Sequence, residues 1–502
     1  MKTAVLKVIS LMGAVIMTLF FYKKGIGLNL FFIELAFILF SHFTKRIDLN
    51  SRLSLFSTIC LLLSAIFLVV THSDLAFVMN LVTLVLFVGV NLFPNAKALT
   101  TSFSLGIASF FNSQKKLFEQ STSSSKSQLA NWLWRSRLYL MPVFLILIFT
   151  LFYRNSNPIF NDLMSYLEDL VPSSEWLEML NFNLLLTFLF CLIFANFLFL
   201  PVKNTSIIQS DKDSSEVLVR KRTRSLMKLK MNSLTNQLNS AIFLFFGLNL
   251  ILLILNCMDI YFVWFNFSWK QNTLKAFVHE GTFYLLFSII LSVGLVLYYF
   301  KGNLNFYFKN TLLKKLCAFW LAQNIILTIS VGVRTYWYIN YFSLAHLRIG
   351  LIIFLILTIV GLFTVIIKVR QAKSIFYLVR INGLAIYSVM LVASFVDWDL
   401  VIARYNVSQK SKSYYHLDFM SSLSYKTLPI VDLSTEELNE TQKLRSDRYS
   451  FEMNIMKSAE YTERINERKN EFIEKWEEIH FLEWNLADQW AYEELLKFKE
   501  DE

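Results

Sequence analysis

Seven polar residues at the ends of apolar segments are the first candidates for chemistry: Asp259, His279, Glu280, Asp397, Asp399, Arg404 and Asn406. A histidine and several carboxylates near one surface have the composition of a metal site or a proton relay. If a helix bundle brings these segment ends together, we expect the seven residues to form one polar cluster. The alternative is that each group caps the helix next to it.

Glu34 is a further candidate because it lies inside an apolar segment. A carboxyl at that depth costs a few kcal/mol to desolvate, so it is either functional or paired inside a bundle. The chain has no Gly-rich phosphate loop, H-E-x-x-H, nucleophile elbow or paired C-x-x-C. We therefore predict no cofactor and no bound metal.

The composition is that of a membrane protein rather than a soluble enzyme. Of 502 residues, 55% are hydrophobic and 17% charged, and the mean hydropathy is +0.48. An ordinary globular domain has about 25% charged residues. The four cysteines lie far apart, so neither a disulfide framework nor a zinc site is indicated.

Apolar segments long enough to cross a bilayer recur along the first 396 residues. A span needs about 20 helical residues, and we predict about 11 spans, at 4–22, 27–43, 53–71, 75–93, 138–153, 182–200, 238–257, 282–300, 313–333, 349–368 and 376–396. The predicted fold is all-α: a polytopic transmembrane helix bundle with a C-terminal helical domain outside the membrane. The two predicted domains are 1–396 and 397–502.

Lysine and arginine concentrate in alternate loops, above all in the loops 101–137 and 201–237. By the positive-inside rule these loops and the N-terminus are cytoplasmic, and the tail 397–502 is extracytoplasmic. The tail is acidic, with 22 Asp and Glu against 14 Lys and Arg from Trp398 onward. Short basic clusters between apolar runs favour membrane lipids as partners and exclude nucleic acid. Another membrane or envelope protein is a further candidate partner.

The tail also carries a family resemblance. Asp397-Trp398-Asp399, the segment 402–406, Asp418-Phe419-Met420 and Leu428-Pro429 resemble an uncharacterised family of bacterial multi-pass membrane proteins. That family is filed as domains of unknown function, series four-one-five-three and four-one-seven-three. Lys426 departs from its pattern, since the family tends to an acidic residue there. The resemblance implies a location in the bacterial plasma membrane and a multi-pass helical body, and it implies no activity.

We expect an integral membrane protein of unknown biochemical activity that acts as a sensing, scaffolding or envelope-associated component, and we lean against an enzyme. Two alternatives stay open. One is a transporter of a small or lipidic solute; the scarcity of Gly (13) and Pro (6) disfavours transporters built on broken helices. The other is a membrane enzyme that acts on a lipid-linked substrate.

Overall fold

The computed structural model describes residues 3–119, 160, 162–163, 182–220, 231–266, 273–300, 302–448 and 456–500. Among these residues the apolar part of the chain is helical. In chain order these helices are α1 (Thr3–Phe21), α2 (Leu28–Phe43), α3 (Arg52–Thr71), α4 (Asp74–Leu92), α5 (Leu99–Glu119), α6 (Phe182–Phe199), α7 (Thr205–Asp213), α8 (Met231–Asp259), α9 (Thr273–Tyr299), α10 (Thr311–Phe342), α11 (His346–Gln371) and α12 (Ile375–Ala393).

The polar tail is also helical. Its helices are α13 (Trp398–Ser408), α14 (Leu417–Ser421), α15 (Leu428–Val431), α16 (Thr435–Arg448), α17 (Ser458–Glu477) and α18 (Leu486–Glu500). Side chains start several of these helices by accepting a backbone N–H: Ser434 accepts from Glu437 at 3.3 Å, and Asn485 accepts from Asp488 at 2.9 Å. Such N-caps each stabilise a helix by about 1 kcal/mol.

The predicted all-α membrane fold is confirmed. Among the described residues, six helices are long and apolar enough to cross a bilayer, and four shorter apolar helices accompany them. These ten helices coincide with ten of the predicted spans, and the remaining span, 138–153, lies outside the described residues. A helix is the form such segments take because lipid offers no hydrogen bonds to an open backbone.

The chain divides into two compact units. Unit 1 comprises Met1–Leu62, Leu84–Asn95 and Ser102–Ile208. Its core joins α1, α2, α4 and α6 through buried side chains such as Phe37, Phe87 and Phe197. Polar links cross this core, since Ser10 donates to Asn196 at 2.7 Å and Asn196 donates to Gln114 at 3.1 Å.

Unit 2 comprises Leu63–Thr83, Ala96–Thr101 and Gln209–Glu502. Its membrane part packs α8, α9, α11 and α12 around or beside α10. The outward face of α8 is apolar and open, with Phe243 exposed by 83% and Ile251 by 67%. A single exposed phenylalanine is ordinary, but a whole helix face of this kind is suited to lipid.

The tail has a core of its own, which includes Tyr415, Tyr461, Phe472 and Trp476. The same cluster of buried residues contains Ile349 from the start of α11. The tail is therefore packed on the end of the membrane helices of unit 2, and this junction holds the candidate site.

Candidate functional site

Six ionisable residues lie where the tail meets the ends of the membrane helices of unit 2. They are His72, His346, Asp397, Asp399, Lys426 and Asp488, and we call them the docking cluster. His72 lies in the loop between α3 and α4, His346 is the first residue of α11, and the other four come from the tail 397–502. The cluster contains three carboxylates, one ammonium and two imidazoles.

Lys426 is the centre of the docking cluster. It lies in a short 3₁₀ turn, Tyr425–Thr427, and its side chain is 2% exposed. Its Nζ atom lies 2.8 Å from Oδ2 of Asp397, donates to the carbonyl oxygen of Thr71 at 2.7 Å, and reaches that of His72 at 3.4 Å. The carbonyls that end α3 have no partner inside the helix and carry the negative end of its dipole. The ammonium therefore satisfies both a carboxylate and a helix end.

Asp397 has two structural roles. Its Oδ1 atom accepts the backbone N–H of Leu400 at 3.2 Å and so starts α13, while Oδ2 faces Lys426. Burial raises the pKa of the Asp397 carboxyl above its ordinary value, and the charge of Lys426 limits this rise. The ion pair thus favours the carboxylate form of Asp397 against the effect of burial.

The second pair joins Asp399 to His346, the first residue of α11. Oδ1 of Asp399 lies 2.6 Å from Nε2 of His346. Burial acts to raise the pKa of Asp399, but the hydrogen bond with His346 and the nearby Lys426 outweigh it, so the pKa lies below its ordinary value. The carboxylate form is therefore the one that the folded site stabilises.

The third pair joins the last tail helix to the loop between α3 and α4. Oδ2 of Asp488 lies 2.8 Å from Nδ1 of His72, and it also accepts from Nδ2 of Asn485 at 2.8 Å. The two hydrogen bonds, with the charge of Lys426, outweigh burial and hold the pKa of Asp488 below its ordinary value. His72 has a φ of 44°, the left-handed conformation that ends many helices.

An uncharged contact, which we call the Asn406 clamp, lies beside the docking cluster. Asn406 accepts the backbone N–H of Leu344 at 2.7 Å and donates to its carbonyl at 2.9 Å, so one side chain satisfies both groups of a loop residue. The hydroxyls of Ser343 and Ser413 are 2.8 Å apart. Through these bonds the first part of the tail holds the loop between α10 and α11.

The structure brings only some of the predicted site residues together. Asp397 and Asp399 belong to the docking cluster, Asn406 forms the adjacent clamp, and the guanidinium of Arg404 lies 5.8 Å from the ring centre of Trp490. The side chains of His279 and Glu280 lie outside the described part of the chain. The hypothesis of one shared site that includes them therefore stays a prediction.

Asp259 has partners among the membrane helices. Its carboxylate lies 2.5 Å from Nη2 of Arg334 and accepts from the hydroxyl of Ser330 at 2.7 Å, and the side chains of the ion pair are 8% and 6% exposed. A π-helical turn, Ile260–Phe265, follows at once. Glu34, the predicted intramembrane carboxyl, is 2% exposed in unit 1.

Sequence reasoning missed four members of the docking cluster: His72, His346, Lys426 and Asp488. Lys426 was noticed only as a departure from a family pattern. The available signal was that His72 stands in the two-residue polar loop between α3 and α4, and that His346 begins α11 directly after the short loop that follows α10. Which tail residue each one meets depends on how the tail folds back, and local sequence does not carry that information.

The docking cluster consists of pairwise polar contacts, most of which link the tail to the ends of the membrane helices. In the described part of the chain, no group of three or more His, Cys, Asp or Glu side chains is arranged to hold a metal ion. Each histidine instead faces one carboxylate, and the lysine faces a carboxylate and two carbonyls. Such an arrangement can hold two elements together and can respond to charge.

Comparison with known proteins identifies the family. A family model described as a domain of unknown function, DUF4153, matches residues 11–433, and this match confirms the resemblance seen in the sequence. No curated protein and no solved structure matches the chain. Its apolar helices and this match over most of its length show that the chain is a membrane protein that belongs to the DUF4153 family.

Proposed function

We propose that this protein is a sensing and scaffolding component of the bacterial plasma membrane whose tail is held on the extracytoplasmic ends of its own helices. The single observation that carries the proposal is Lys426: an ammonium with 2% exposure that pairs with Asp397 at the start of the tail and joins the tail to the end of α3. A buried ammonium destabilises a folded protein unless its carboxylate and carbonyl partners stay in place, so the position of Lys426 indicates that the tail stays packed on the membrane helices.

The orientation in this proposal follows from loop charge. The loops that contact the tail at His72 and His346 are poor in lysine and arginine, whereas the alternate loops are rich in them. The positive-inside rule assigns the poor loops to the extracytoplasmic side. Because the docking cluster lies on the same side, the tail is extracytoplasmic and the N-terminus is cytoplasmic.

The tail presents a charged face to a partner. Helix α17 buries Ile465, Phe472 and Trp476, and its opposite face exposes a row of glutamates that includes Glu467 and Glu474. A face of one sign steers association with a partner of the opposite sign. The partner is therefore a membrane or envelope protein with a basic surface.

The test is affinity purification of the full-length protein from native membranes. Charge reversal by Glu467→Lys with Glu474→Lys is expected to abolish recovery of a partner that copurifies with the unmodified protein. Glu436→Lys with Glu440→Lys is the matched control, since it reverses two exposed charges on another tail helix. Equal loss in both variants, or loss in neither, would contradict a role for the α17 face.

A transporter is the second candidate, and the pair of Asp259 with Arg334 favours it. Ion pairs within membrane helices commonly mark solute or proton pathways, and π-helical turns frequently occur at functional sites. Flux of a small solute into proteoliposomes that is abolished by Asp259→Asn would support this function. Flux that is absent, or unchanged by the substitution, would leave the scaffolding proposal as the better one.

A further inference from the structure

A cavity in unit 1 is surrounded by basic side chains. It has a volume of about 340 Å³ and lies between the start of α1, the ends of α2, α4 and α6, and the C-terminal half of α5. Its four charged residues are Lys45, Arg46, Lys116 and Lys203. Among the described residues that line it there is no aspartate or glutamate, so the cavity has four formal positive charges and no compensating carboxylate.

Contacts fix one of the basic groups, Arg46, in place, whereas Lys45 and Lys203 are exposed. Both Nη atoms of Arg46 donate to the carbonyl oxygen of Phe199, at 3.2 and 3.1 Å, and its guanidinium lies 5.2 Å from the ring centre of Phe40. Lys116 is half-buried. In the described part of the chain, none of the four basic side chains forms an ion pair.

The remaining walls are mostly apolar, with Ser41 and Asn91 as the polar exceptions. Phe37, Leu92 and Leu198 line the cavity and belong to the buried core of unit 1. A site with a basic end and an apolar end matches an amphiphile, whereas a freely soluble anion would gain nothing from the apolar part.

We infer that this cavity binds the phosphate headgroup of an anionic phospholipid, with the adjoining part of its acyl chains against the apolar lining residues Phe37, Leu92 and Leu198. The start of α1 and the ends of α2, α4 and α6 meet here, so the cavity is at the membrane face that the loop charges assign to the cytoplasm. Basic pockets between membrane helices on that face bind anionic headgroups. The inference concerns unit 1 alone and does not depend on the proposed role of the tail.

The experiment is lipid titration of the purified full-length protein, followed by native mass spectrometry. The probes are dioleoyl phosphatidylglycerol, which is anionic and has acyl chains; dioleoyl phosphatidylcholine, which is zwitterionic; and glycerol 3-phosphate, which has no chains. We expect binding of phosphatidylglycerol and little binding of the other two. Equal affinity for glycerol 3-phosphate would overturn the assignment to a lipid, and equal affinity for phosphatidylcholine would overturn the assignment to an anion.

Substitutions locate the site. Lys116→Gln is expected to weaken phosphatidylglycerol binding about fivefold, and Lys116→Gln with Lys203→Gln about 25-fold, because each lysine near an anionic headgroup contributes about 1 kcal/mol. Lys115→Gln is the matched control, since Lys115 is exposed on the same helix and does not line the cavity.

Lys116→Arg keeps the charge and should restore binding, which separates a lost contact from a misfolded variant. An effect of Lys115→Gln as large as that of Lys116→Gln would show that net loop charge, not this cavity, attracts the lipid. Unchanged binding in the double variant would also refute the site.

Discussion

Replacing Lys426 by methionine tests the docking cluster most sharply. The substitution keeps an unbranched side chain of similar length and removes the ammonium. It leaves the carboxylate of Asp397, which is 12% exposed, without its ion pair, and it leaves the carbonyl of Thr71 without its donor. Removing one partner of a buried ion pair costs about 3–5 kcal/mol.

The lower end of that range applies here. The pKa of Asp397 is already raised by burial, so this carboxyl can take up a proton once Lys426 is gone, which limits the cost. Water can also reach the end of α3, because the side chain of His72 is 36% exposed. We therefore expect the free energy of tail undocking to fall by about 3 kcal/mol, a factor of roughly 150 in the equilibrium constant.

Hydrogen–deuterium exchange of the purified full-length protein measures this change. Amides of α13 and α18 that exchange through undocking should exchange roughly 150 times faster in Lys426→Met. Lys457→Met is the control, because Lys457 is exposed in the same tail and should change stability by less than about 0.5 kcal/mol. Equal exchange rates in Lys426→Met and Lys457→Met would refute the reasoning.

A double substitution separates charge from packing. Asparagine at position 397 can still start α13, so Asp397→Asn with Lys426→Met removes the unpaired carboxylate and keeps the N-cap. We expect the double variant to recover most of the loss, to within about 1 kcal/mol of the unmodified protein. A double variant as unstable as Lys426→Met would show that the cost comes from lost packing instead.

Three further outcomes are expected. Because the pKa of Asp399 in the folded protein lies below its ordinary 3.8, its carboxylate stabilises the fold above that pH and the contribution is lost as the pH falls through the folded pKa. The hydrogen bond with Asp399 also raises the pKa of His346, so a second part of the contribution is lost as the pH rises through the folded pKa of that imidazole. The difference in unfolding free energy between the unmodified protein and Asp399→Asn should thus be largest between about pH 5 and the ordinary histidine pKa of 6.5, and it should shrink on either side; a difference that grew in acid would contradict the sign. Gly89→Ala should cost about 1–3 kcal/mol in chemical denaturation because its Cβ would collide with the backbone of Ser102, whereas Gly247→Ala, with open space around it, should not destabilise; equal effects would refute that close packing. Asn406→Ala should cost about 2 kcal/mol in the same assay, since both backbone groups of a half-buried loop residue lose their partner; a change below 0.5 kcal/mol would exclude the clamp.

The membrane-spanning helices could be predicted from the sequence for a simple physical reason. A bilayer imposes a minimum apolar length on each span, so composition in a sliding window is enough to find them. The start of α16 at Ser434 and the buried face of α17 at Ile465 and Phe472 were also predictable, because capping and helical periodicity are local.

The docking cluster was only partly predictable because its contacts are long-range. Lys426 reaches the carbonyl of Thr71 across 355 residues, and His72 reaches Asp488 across 416. Nothing near His72 in the sequence distinguishes a loop histidine with a partner from one without. Asp397 and Asp399 were found because two acids directly after a long apolar run are unusual, yet their partners could not be named.

The central claim is that the tail is docked, on the extracytoplasmic side, against the loop between α10 and α11. The hydroxyls of Ser343 and Ser413 are 2.8 Å apart at that junction, and both residues are buried. The measurement is the fraction of free thiols in Ser343→Cys with Ser413→Cys, in full-length protein whose four native cysteines are replaced by serine, taken directly from cells. An oxidising compartment forms disulfides between adjacent cysteines, whereas the cytoplasm keeps them reduced. We expect a disulfide without added oxidant; free thiols that persist even after oxidation of the purified protein would contradict docking, and a disulfide that forms only after purification would contradict the orientation.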